Sequence, residues 1–196
     1  LNGVTIINPD TVTIGPDVEI EHGVTIYPGT CMFGDCKISK GAVIGPNTEL
    51  NNANVGENAR VIHSMVSDAD IMKDSFIGPF PCIRDGVNIG QNTRVGAFVE
   101  VKHSTIGDNT FASHLAYIGD SEVGNNVNFG CGVVIANFNG VSKNETIIKD
   151  NVFIGCNSNL IAPVSIGNDS FIAAGVSISK DVLDNEFVYS LRDIRC

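Results

Sequence analysis

The chain has no tryptophan, and its 12 Lys and Arg are outnumbered by 22 Asp and Glu. A formal net charge of −10 argues against a protein that grips a nucleic-acid backbone. An anionic ligand would have to be held by a local basic cluster against the field of the whole molecule. No apolar run approaches the length of a membrane span, so no membrane insertion is expected. The opening lacks the pattern of a signal peptide, which leads to the expectation of a cytoplasmic protein. The first residue is Leu1 and not Met, so an N-terminal portion is expected to have been removed. No CxxC pair occurs among the 6 cysteines at 31, 36, 82, 131, 156 and 196. They read as small hydrophobes in a reducing compartment, without a disulfide framework.

What is present is a count of six. Ile14, Ile20, Ile26, Met32, Ile38, Ile44 and Leu50 recur every sixth residue. The series resumes from Ile71 to Val101 and again from Ile148 to Ile178. A helix would scatter this period around all its faces, whereas a strand keeps it on one. Two residues before each member stands another apolar or small residue, such as Val18, Val24 and Ala42, on the same strand face. With 21 glycines to make corners, each hexad reads as a short strand followed by a turn. Three hexads close a triangular coil, and coils stack by parallel pairing. The fold predicted is all-β, a parallel β-helix of hexapeptide repeats over residues 1–196. Ile14 to Ile178 gives about nine coils, or a prism about 45 Å long at ~4.8 Å per coil. Residues 1–10 are expected to lead into the prism, and residues 180–196 to cap or extend its last coil.

The count breaks once in earnest. Between Ala112 and Ile148 a step shortens to five, and Ala136 to Ile147 inserts a polar stretch that reads as a projecting loop. Candidate functional groups crowd there: His114, Tyr117, Asn128, Asn137 and Lys143. Arg84 and Lys102 each follow an inward hexad residue one coil apart. They should stack on one edge, where two cations at strand spacing call for an anion; two solvated surface charges are the plain alternative. His114 could be a structural histidine, but its polar company favours a role in chemistry. His22, His63 and His103 do not stack with it at coil spacing, which counts against a metal site.

Several segments also resemble a known family. They are IGPF at 77, RVGAFVEVK at 94, SHLAYIGDSEVGNNVNFGCG at 113, NFNG at 137, TIIKDNVFIGC at 146 and LIAPVSIGNDSFIAAG at 160. In this order they resemble the C-terminal acetyltransferase domain of the bacterial bifunctional enzyme that makes UDP-N-acetylglucosamine. The resemblance implies a left-handed winding and a homotrimer with sites between prisms. It implies acetylation of glucosamine 1-phosphate by acetyl-CoA, a step toward cell-wall precursors, with no metal in this domain. His114 would be the general base. Arg84, Lys102, Tyr117, Asn128 and Lys143 would hold the sugar phosphate. Cys131, Asn137, Phe138, Cys156 and Ala174 would line the acetyl-CoA path. Phe138 and Cys156 replace the family's Tyr and Ser, and the family's CoA-binding Arg falls on Leu191 beside Arg192. The Mg²⁺-using nucleotidyltransferase domain that precedes it in the family is absent from this chain. The alternative is a non-catalytic β-helix that trimerises or regulates a sugar-nucleotide enzyme.

Overall fold

The computed structural model describes residues 3–190. The hexads form a three-faced prism of parallel strands. The first face is an 11-stranded sheet running from Thr5–Ile6 to Phe187–Val188. The second and third faces join into a 15-stranded sheet, because several strands turn the corner between them without breaking. Glu49–Val55, Met65–Ile71, Glu100–Ile106 and Tyr117–Val123 are such strands. This is the physical form of the five-residue step: the strand continues around the edge where a turn would have used one more residue.

The apolar series points inward throughout. Ile26, Met32, Ile44, Leu50, Ile77, Ile89, Ile118, Ile135 and Ile154 are all fully buried. The residues two before them close the interior at the corners: Val24, Thr30, Cys36, Ala42 and Thr48 are buried too. Because each coil buries its apolar residues only against its neighbours, the core is one continuous column. The lead-in already belongs to the stack, since Thr5–Ile6 pairs with Thr25–Ile26. At the other end, Phe187–Val188 adds a strand beyond Phe171–Ile172, although the count of six has lapsed there.

Most corners hold one residue with positive φ. Among the described non-glycine residues these are mostly Asn and Asp, including Asn47 (φ 48), Asn58 (φ 56), Asn92 (φ 53) and Asn126 (φ 57). Asn and Asp tolerate this left-handed conformation better than other residues with a Cβ, which is why Asn follows so many hexads. The insertion leaves the stack intact. Phe129 still pairs with Ile154 across it, and Val123 with Ile148.

Candidate active site

The first corner, between the first and second faces, carries a column of predicted residues. His114 ends the strand Phe111–His114 and pairs with Ala97 on the coil before it. Cys131 occupies the same corner position one coil further on, then Cys156, then Ala174. The backbone bonds record the stacking: Gly132 N–H donates to Leu115 O at 3.1 Å, Asn157 N–H to Cys131 O at 2.8 Å, and Gly175 N–H to Cys156 O at 2.8 Å. Among the described residues, the N–H groups of Cys131, Cys156 and Ala174 donate to no protein acceptor. The column is therefore a row of unused amide donors with small side chains, rising from an exposed histidine. No protein group among the described residues bonds the His114 ring.

Across the second face lies a cationic cluster. Arg84 and Lys102 stand in register on neighbouring strands, as the spacing predicts. The anion they call for is partly supplied by the chain itself. Asp85 lies 2.8 Å from Arg84 and 3.4 Å from Lys102, and Glu100 lies 2.6 Å from Arg84. The hexad spacing does not reveal Asp85 here, because its own corner, at φ 62, turns it back onto the cluster. Lys143 comes down from the loop to meet Lys102. Lys102 donates to Lys143 and to Asp85, which raises its pKa. The Lys143 pKa is pushed down, first by the hydrogen bond from Lys102 and then by its charge. Two amines pressed together, with Lys102 sharing the Asp85 carboxylate with Arg84, form a site that a further anion would relax.

Tyr117 bridges the two parts. It starts the strand next to the His114 corner, and its ring crosses the outer side of Gly119. A Cβ on Gly119 would come within 2.6 Å of the Tyr117 hydroxyl and 2.8 Å of the Asn137 amide nitrogen. The missing side chain is thus a cradle for both groups, a requirement the hexad count could not show. Asn137 is buried and donates to the Tyr117 hydroxyl at 3.3 Å. Phe138, 60 % exposed, begins the loop and bridges back to Lys143. Beneath the loop is a cleft of about 390 Å³ lined in part by His103, Asp120, Lys143 and Glu145.

Asn128 does not join this group. The sequence reading put it on the same edge as His114, but it lies outward on the first face, between Phe111 and Phe153. Leu191 and Arg192 lie outside the described residues. The five described cysteines are free, and among the described residues no three metal-ligating side chains gather. No helix of the described residues is long and apolar enough to cross a membrane.

Fold and corner chemistry define the class: this is a hexapeptide-repeat parallel β-helix. The pattern of the bacterial transferase hexapeptide (six repeats) matches residues 145–180. Solved structures share the fold. The UDP-N-acetylglucosamine acyltransferase of Francisella novicida superposes with a TM-score of 0.57 at 20 % identity, over 96 % of this chain and 67 % of that one. The enzyme of that name from Campylobacter jejuni gives 0.53 at 20 % identity, over 94 % and 68 %. Within the class the resemblance read from the sequence holds, and it is to the bifunctional protein GlmU. The GlmU of Acholeplasma laidlawii is 55 % identical over 187 residues, 95 % of this chain and 41 % of that protein. The GlmU of Brevibacillus brevis is 45 % identical over 184 residues, 94 % of this chain and 40 % of that protein. The chain thus spans about two fifths of the length of these relatives.

Proposed function

We propose that this chain transfers an acetyl group from acetyl-CoA to the amine of glucosamine 1-phosphate, as a homotrimer in the cytoplasm. The observation that carries the reading is the first-corner column, in which an exposed histidine stands at the foot of a row of unused amide donors, with a cationic cluster across the neighbouring face.

The residue types suit the chemistry. The amine must be unprotonated to attack the thioester, and His114 would take its proton. The Cys131 N–H, one coil above, is a donor for the tetrahedral oxyanion. Arg84, Lys102 and Lys143 would hold the phosphate, with Tyr117 beside them. The acyl carrier would run up the corner past Cys156 and Ala174, bounded by Asn137 and Phe138. Within one prism Asn128 lies apart from these groups, on the first face. It would reach a bound sugar from the first face of a neighbouring prism, as would any group that orients the His114 ring. The exposed side chains of Phe80, Phe98 and Leu115 along the same corner support such an assembly.

The direct test is release of free thiol from acetyl-CoA with glucosamine 1-phosphate present. Acetyl transfer is the expected result. A chain that binds neither compound and only associates with itself would be the non-catalytic alternative.

A further inference from the structure

Neither the column nor the cationic cluster makes use of His103 and Asp120, yet Asp120 is bonded to Asn137, the partner of Tyr117 between them. On the corner between the second and third faces, His103, Asp120 and Asn137 follow one another at steps of 17 residues. His103 Nδ1 lies 2.8 Å from one Asp120 carboxylate oxygen. The Asn137 side-chain amide donates to the other. Only 13 % of the Asp120 side chain is exposed. Asn137 is where the loop leaves the prism and where it returns, since its backbone carbonyl accepts from Asn144 N–H at 2.7 Å. Asp120 therefore ties the prism to the root of the loop.

We propose that Asp120 is a positioning residue: its carboxylate fixes the Asn137 amide and, through it, the Tyr117 hydroxyl and the seating of the loop over the cationic cluster. An ionised carboxylate only accepts hydrogen bonds. Asn137 must therefore turn its NH₂ toward Asp120, leaving its Oδ1 as a free acceptor. Such an acceptor suits an amide N–H of a pantetheine-like ligand. A neutral partner at position 120 would satisfy either orientation of the Asn137 amide and leave that choice open. His103 occupies the second carboxylate oxygen and keeps the carboxylate from rotating away. The ligand named here rests on the acetyltransferase reading; the hold on the loop does not.

Two variants suit the Asp120 backbone, whose φ is 49. Asp120→Gly removes both acceptors at a position that glycine tolerates well. Asp120→Asn keeps one acceptor. Steady-state kinetics on the full chain should show the acetyl-CoA KM of Asp120→Gly raised by about ten-fold, the order expected for a lost hydrogen bond to a charged group. The KM for the sugar phosphate should change less, and Asp120→Asn should recover part of the loss. Hydrogen exchange of the wild type and Asp120→Gly should show faster exchange in residues 138–145 and no change in the flanking strands. A lower melting temperature with unchanged KM values and unchanged loop exchange would make Asp120 merely structural and overturn the proposal. If the wild type transfers no acetyl group to glucosamine 1-phosphate, the functional reading fails on its own. The exchange comparison then judges the positioning role alone, and unchanged loop exchange again overturns it.

Discussion

At the corner between the third and first faces, the left-handed positions are Gly3, Gly23, Gly41, Asn58, Asp74, Asn92, Asn109, Asn126, Asn151, Asp169 and Asn185. At the first corner the corresponding run includes His63, Phe80, Phe98 and Leu115. The backbone task is the same at both. The third corner meets it with the residues that tolerate it best, and its side chains hydrogen-bond up the stack, as Asn126 to Asn151 at 3.0 Å and Asn151 to Asp169 at 2.9 Å. The first corner holds bulky residues in a conformation that costs of order 1–2 kcal/mol each for a side chain with a Cβ. It also leaves them exposed, Phe98 by 63 % and Leu115 by 56 %. Folding alone does not call for such choices. Where strain and exposed apolar surface coincide beside His114, the sequence serves something outside the single prism.

Substitutions can set the two corners against each other. The largest effect is expected at His114. His114→Ala should lower the acetyl-transfer rate by about 10² to 10⁴ while the melting temperature stays put. The loss should shrink as pH rises and more substrate amine is already free. A variant that turns over at full speed but melts early would reduce the first corner to a second structural edge. Next come Arg84→Ala and Lys102→Ala, each expected to raise the sugar-phosphate KM by about ten-fold, because their role is to bind an anion. An effect confined to acetyl-CoA affinity would contradict the assignment.

The corners should then diverge in stability. Asn126→Ala should cost about 1–2 kcal/mol in chemical denaturation, from the left-handed backbone and the lost ladder bond, with kinetic constants unchanged. Phe98→Asn should be nearly neutral for the single chain, within about 1 kcal/mol, because relief of backbone strain offsets the lost stacking on Phe80. Sedimentation should nonetheless show weaker self-association for Phe98→Asn. Equal behaviour of the two variants in both assays would erase the contrast between the corners.

The smallest effect concerns acid. Burial pushes the Asp120 pKa up, but hydrogen bonds from His103 and Asn137 outweigh it and hold the carboxyl below its ordinary value. Its contribution to stability is therefore fully present above the ordinary carboxylate range, about pH 4, and is lost as pH falls through the lowered value. Asp120→Asn should flatten that part of the acid limb of the stability profile and leave the limb above neutrality unchanged.

Much of this was legible from the hexads. The inward set, the three-faced coil, the register of Arg84 with Lys102 and the projecting loop all follow from counting in sixes. The count also explains what was hidden. His103, Asp120 and Asn137 align only at a step of 17, one short of three full hexads, so a search at 18 passes them by. Asp85 neutralises the cations through corner geometry that no linear spacing encodes, whereas Glu100, two residues before Lys102 on the same strand face, could have been found by counting in twos. Asn128 looked like a neighbour of His114 because proximity in sequence stood in for proximity in space; it lies on the next strand of the same first-face sheet, opposite Phe111 and three residues short of the corner that His114 occupies.

One feature of the stack bears on how such a protein could change. The loop opens after Ala136 and closes before Thr146, and the strands on either side meet their partners as if nothing lay between. It behaves like a parenthesis in a sentence whose grammar is complete without it. Its length and contents can vary without renegotiating the core, while its anchorage at Asn137 keeps whatever is written there aimed at the same face. A lineage could thus try new substrates by rewriting a few residues on a scaffold that never has to relearn its fold.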